Sequence, residues 1–135
     1  MVESLKMLMM GMSTLMDPYV LLMCGFGGFL GVIVGALPGL GATAGCALLV
    51  PITYTMDPTV ALVTLAAVYY GDMFGGGISA ILINIPGDSH AAVTALDGYA
   101  MSQKGQGGKA LFTGFFSSFI GGMMGAIMLT LMGTM

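Results

Sequence analysis

Apolar residues recur at helical spacing over residues 3–16, where Leu5, Leu8, Met9, Met12, Leu15 and Met16 share one side and Glu3, Lys6 and Ser13 the other. This pattern predicts an amphipathic interfacial helix over residues 1–17, ending at Asp17-Pro18. A secretory signal peptide is the alternative, since Lys6 precedes a short apolar run, but no small-x-small cleavage site follows. From residue 18 the two-sided pattern gives way to apolar segments at about 19–37, 40–56, 59–83 and 110–132, with a polar loop at 88–109. Residues 19–37 reach across most of a bilayer core of about 30 Å at about 1.5 Å per residue. Residues 110–132 form the clearest continuous span. The segment 40–56 is short, so it reads either as half of a re-entrant hairpin ending near Pro51 or as a helix extending to about Met56. Asp57-Pro58 has the form of an N-cap followed by proline at the first helical position.

Glycine and proline punctuate these segments. Gly27, Gly31, Gly35 and Gly39 recur every four residues, a spacing that lets another helix approach closely. Packing is the reading for Gly27 and Gly31, and for Gly121 and Gly125 in the last span. Around Gly35 the chain reads Gly35-Ala-Leu-Pro-Gly-Leu-Gly-Ala-Thr-Ala-Gly45. Pro38 cannot donate a backbone hydrogen bond and disfavours helix just before it, while Gly39 and Gly41 add backbone freedom. A helix break is expected there. A second loosening is expected at Tyr69–Gly77, with four glycines and Asp72, before Asn84-Ile-Pro-Gly87 closes the segment. A faint repeat links the two loops: Leu37-Pro-Gly39 with Ala47-Leu48 matches Ile85-Pro-Gly87 with Ala95-Leu96. Paired broken segments of this kind mark transporter binding sites.

Composition sets the solvent. Hydrophobic residues make up 57% of the 135 and charged ones 7%, against roughly 25% charged in an ordinary globular domain. Lipid is therefore the expected surroundings, and the fold class is an all-α membrane protein: a bundle of transmembrane helices with Pro/Gly-broken or re-entrant segments. Three lysines and a net charge of −3 leave no basic footprint for nucleic acid. Lys6, Lys104 and Lys109 suggest that the N-terminus and the polar loop share the cytoplasmic side. That arrangement needs an even number of crossings between them. Cys24 and Cys46 sit in apolar sequence and read as small packing residues, with a disulfide or metal pair as the alternative.

Enzyme motifs fail. Gly39-x-Gly41-x-x-x-Gly45 is mis-spaced for a dinucleotide fingerprint, and no glycine run ends in Lys-Ser or Lys-Thr to make a P-loop. His90 is the one histidine and has no cysteine cluster beside it, so it reads as a solvated loop residue rather than a zinc ligand. Transport chemistry fits better. With no lysine or arginine at membrane depth, an anion would be held by the unpaired N–H groups of a half-helix N-terminus. Thr43, Ser79 and Asn84 can add hydrogen bonds, and freed carbonyls near Gly39 can coordinate Na⁺ together with Asp72. Asp72 is the ionisable residue deepest in apolar sequence; it is either a functional ion site or a cap near water.

Several ordered blocks resemble the large membrane subunit of tripartite tricarboxylate transporters. They are Gly31-x-x-x-Gly35-x-Leu-Pro-Gly-Leu-Gly41 with Ala47-Leu-Leu-x-Pro51, Tyr70-Gly-x-x-Phe-Gly-Gly76, Ala80-Ile-Leu-x-Asn-Ile-Pro-Gly87, Thr94-Ala-Leu-Asp-Gly-Tyr99 and Lys104-Gly-Gln-x-Gly-Lys-Ala-Leu111. The resemblance covers about residues 19–125. It implies ion-gradient-driven import of citrate-like di- and tricarboxylates across a bacterial inner membrane, as a multi-pass secondary transporter without ATP hydrolysis or cofactor. It further implies Na⁺ or H⁺ as coupling ion. The partners implied are a small membrane subunit and a periplasmic substrate-binding protein. By matching position, the substrate pathway would include Pro38, Gly39, Gly41, Pro86 and Gly87. The family's large subunit is several times longer, so this chain would correspond to its N-terminal portion, and His90 stands where the family pattern has a small residue. The alternatives are a non-transporting helical assembly module built on the glycine ridges, or an inactive fragment of the transporter. A membrane enzyme using Asp72 or His90 has the least support.

Overall fold

The computed structural model describes residues 2–133 as six helices. They are α1 (Val2–Leu15), α2 (Pro18–Ala36), α3 (Gly41–Thr53), α4 (Pro58–Ile83), α5 (Ala91–Gln103) and α6 (Gly107–Gly133). No strand occurs among the described residues. Helices α2, α4 and α6 are each long and apolar enough to cross a membrane, while α3 is a shorter apolar helix. The side chains of Glu3, Leu5 and Leu8, on which the amphipathic reading of residues 1–17 partly rests, lie outside the described residues. Those of Met9, Met12, Leu15 and Met16 are exposed.

Local chemistry starts two of the long helices. Asp17 accepts a hydrogen bond from the Tyr19 backbone N–H at 2.9 Å, and Asp57 accepts one from Thr59 at 3.0 Å. In both cases proline fills the next position, where its missing N–H costs nothing. At the other end of α4, Asn84 adopts a left-handed conformation (φ 58°) and stops the helix. α3 carries Pro51 near its end and continues to Thr53, rather than stopping at the proline.

The core of the molecule is the α2–α4 contact, and it is made by glycine. A Cβ added at Gly27 would stand 2.7 Å from the Thr64 carbonyl oxygen; at Gly31 and Gly35 it would fall on the carbonyls of Val68 and Asp72. From the other side, Gly71 and Gly75 meet the carbonyls of Gly28 and Val32 in the same way. Nothing larger than hydrogen fits at these points, so two backbones meet directly, as membrane helices do where apolar burial supplies no drive. These contacts correct one expectation. Residues 69–77 do not loosen; α4 runs through them as continuous helix, because Gly71 and Gly75 admit the α2 backbone instead of breaking their own.

The contact pairs ascend together, Gly27 with Thr64 and Gly35 with Asp72, so α2 and α4 run parallel. Parallel neighbours force the intervening chain to return. Residues 41–57 therefore return along α2 as helix α3, which ends at Thr53, and a short linker. α6 runs antiparallel to α4: Gly107 touches Leu82, and Phe115 stacks on Phe74 at 3.6 Å between ring centroids.

Residues 88–109, expected as a polar loop, contain α5. Ala91, Ala95 and Gly98 form a small-residue stripe at helical spacing that seats on Ala80 and Ile81, while Asp97 and Lys104 face outward. Both the start and the middle of α5 touch the same turn of α4, so α5 lies across its end. The faint sequence repeat thus gives matching loops but not matching helices: α3 descends and α5 does not. The lysines also separate. α1 lies beside Thr59–Val63 at the starting end of α4, whereas Lys104 and Lys109 flank Gly107 at its far end.

Candidate functional site

The two Pro-Gly loops meet at one end of the bundle. The backbone N–H of Gly39 points at the Gly87 carbonyl, 3.4 Å away. Gly39 (φ 90°) and Gly41 (φ 65°) both occupy the left-handed region that only glycine adopts without strain, which turns the chain from α2 into α3. Gly87 is buried against the Gly35 carbonyl and Gly76, so the second loop rests directly on the α2–α4 seam. Between the loops lies a groove of about 420 Å³. It is lined by Gly39, Leu40, Gly41, Ala42 and Thr43 from the first loop and by Pro86, Gly87, Asp88 and Ser89 from the second.

Among the candidate residues, Gly39, Gly41, Thr43, Pro86 and Gly87 come together at this groove. Pro38 is exposed at its margin, and Gly35 lies beneath Gly87. Ser79 and Asn84 stand apart. The Ser79 hydroxyl is buried and donates to the Gly76 carbonyl at 3.0 Å, and Asn84 is spent on ending α4. Gly27 and Gly31 pack against α4, while Gly121 and Gly125 have open space where a Cβ would stand. Cys24 and Cys46 are half-buried free thiols.

Asp88 is the residue sequence reasoning did not single out. Its carboxylate lies over the N-terminus of α3, accepting hydrogen bonds from the backbone N–H of Ser89 at 2.7 Å and from that of Ala42. Its Oδ2 is 3.6 Å from His90 Nδ1. The Ser89 N–H above all, then the Ala42 N–H and His90, hold the carboxyl below the usual carboxylate range, against partial burial that pushes it up. The chain's own carboxylate thus lies at the N-terminus of α3, where free N–H groups favour an anion. The signal that could have found it is position: Asp88 follows Pro86-Gly87 as Leu40 follows Pro38-Gly39, and only one of the two loops carries a charge there. His90 is an exposed residue just before α5 and stands beside Asp88.

Asp72 does not take the capping role. It is 0% exposed, inside α4, and neither carboxylate oxygen has a hydrogen-bond partner. It lies below the groove, where a Cβ at Gly45 of α3 would be 3.7 Å from its Oδ1.

Long apolar helices, glycine-mediated backbone contact and two facing Pro-Gly loops define a helical membrane protein with a polar groove at one end. The chain belongs to the tripartite tricarboxylate transporter TctA family, whose model matches residues 21–135. It is 44% identical over 131 residues to an uncharacterized 52.8 kDa protein in the TAR-I ttuC' 3' region of Agrobacterium vitis. That alignment covers 97% of this chain and 26% of the relative, so the chain spans about a quarter of that protein's length. No solved structure matches.

Proposed function

We propose that this chain is part of the large membrane subunit of a secondary transporter that imports di- and tricarboxylates such as citrate across a bacterial inner membrane. An ion gradient drives the import, with Na⁺ or H⁺ as coupling ion. A periplasmic binding protein delivers the substrate, and a small membrane subunit completes the assembly. Chemistry on the substrate is not part of this reading.

The observation that carries it is the meeting of the two Pro-Gly loops, Gly39 N–H to Gly87 carbonyl at 3.4 Å, around a groove fed by the α3 N-terminus. Backbone N–H groups and the helix dipole favour a carboxylate at that point, and Asp88 demonstrates the preference from within the chain. A substrate carboxylate takes the place of Asp88, with the Thr43 and Ser89 hydroxyls on the rim to orient it.

The test is uptake of labelled citrate into liposomes holding the full-length protein, its small subunit and its binding protein. Uptake is expected to depend on an imposed ion gradient, and Gly39→Leu, which forces a β-carbon into φ 90°, is expected to abolish it. Unchanged uptake by a stably folded Gly39→Leu protein would remove the loop from the pathway.

A further inference from the structure

Among the described residues, no side chain pairs with the Asp72 carboxylate. α2 faces it with Gly31, Val34 and Gly35, none of which titrates. α3 offers Gly45 and, within electrostatic reach, the thiol of Cys46. The loop above contributes Asp88 and His90, also within electrostatic reach. The described lysines, Lys6, Lys104 and Lys109, are exposed and belong to other parts of the molecule. The two nearest buried hydroxyls on α4 are committed to their own helix, Thr64 to the Val60 carbonyl and Ser79 to that of Gly76. A bare carboxylate in such a place costs several kcal/mol. An apolar side chain at position 72 would avoid that cost entirely, so the acid has to be neutralised by something that comes and goes.

A proton and a metal cation are the two chemical options, and the surroundings favour the proton. A cation needs several oxygen ligands at once. No group of three or more His, Cys, Asp or Glu side chains that could hold a metal exists among the described residues, and Oδ1 lies toward Gly45, which has no side-chain oxygen to offer. A proton needs only the carboxyl itself. Gly45, beside Asp72, lies one turn into α3, and the first residues of that helix line the groove that Asp88 also lines.

We propose that Asp72 is an exchangeable proton site, neutral while α3 covers it and deprotonated when α3 moves aside. In the release step the Asp72 O–H bond breaks and the proton forms a new bond to a water molecule admitted as α3 moves. The return step reverses this. As the coupling event of a transporter, the cycle rests on the function proposed above; as a proton site, it does not.

The test is infrared difference spectroscopy on the full-length protein in lipid nanodiscs, at neutral pH without Na⁺. The wild type is expected to show a protonated-carboxyl C=O band that shifts in D₂O, changes frequency in Asp72→Glu and is lost in Asp72→Asn. Absence of the band, or its persistence unchanged in both variants, overturns the assignment. So does its loss from the wild type when Na⁺ is added at fixed pH, which would assign the site to a cation. In proteoliposomes, Asp72→Asn is expected to keep carboxylate exchange, since the amide imitates the protonated acid, and to lose accumulation driven by a pH gradient. Full accumulation in Asp72→Asn overturns the coupling role. A wild type with the band but with no carboxylate uptake retains the proton site and defeats the transporter reading alone.

Discussion

Helices α2 and α6 are both apolar, both of membrane-crossing length, and both carry glycines spaced along the helix. They use them in opposite ways. In α2, Gly27, Gly31 and Gly35 are buried and admit the carbonyls of Thr64, Val68 and Asp72. In α6, Gly114, Gly121, Gly122 and Gly125 have no atom of another element within 4 Å of a would-be Cβ, and Ala110 is the buried residue of the helix among those described. Phe112 and Phe119 are 69% and 65% exposed, so this side of the molecule is finished by lipid or another helix. Three of the exposed hydroxyls of α6 are already satisfied: Thr113, Ser117 and Thr130 each donate to a carbonyl one turn back. Small-xxx-small spacing therefore marks a helix able to accept a backbone. It does not say whether this chain provides one.

Substitution separates the two ridges most strongly. Gly31→Leu is expected to destabilise the protein by about 3 kcal/mol or more, because the new side chain lands on the Val68 backbone and no rotamer escapes it. Thermal unfolding in detergent measures this, and a near-normal melting temperature would break the account of the α2–α4 seam. An intermediate effect is expected at the loop junction that this seam supports. Asp88 has a depressed pKa in the folded protein, so its contribution is present above about pH 4 and is lost as pH falls through the lower folded value. Hydrogen exchange at the Ala42 amide should therefore accelerate below that pH, and Asp88→Asn should show fast exchange already at neutral pH. The smallest effect belongs to Gly125→Leu, which is expected to change the stability of the isolated chain by no more than about 0.5 kcal/mol. A large loss there would reveal a partner surface on α6 that the single chain does not contain.

Much of the helix layout is legible from short stretches of sequence. Asp17-Pro18 and Asp57-Pro58 start helices because cap and proline act on their immediate neighbours. Pro38 and Gly39 end α2 for an equally local reason. The site was legible in part: both Pro-Gly loops were named, and the structure brings Gly39, Gly41, Thr43, Pro86 and Gly87 to one groove. Ser79 and Asn84 were polar residues in suggestive places, but their side chains and backbone serve α4 itself. Asp88 was overlooked because its importance comes from lying over the start of α3, more than forty positions earlier in the chain.

The sequence by itself determined a membrane-embedded helical protein, the places where its helices start and stop, and the family to which it belongs. These follow from composition, from ordered motifs and from interactions within a few residues. Tertiary structure decided the rest: that Gly71 and Gly75 join helices instead of interrupting one, that residues 91–103 fold across the end of α4, that Asp88 lies at the N-terminus of α3, and that Asp72 is left without a partner. The physical reason is common to all four. A glycine or a carboxylate carries a capacity in its own covalent structure, and the backbone or charge that meets it comes from another part of the chain.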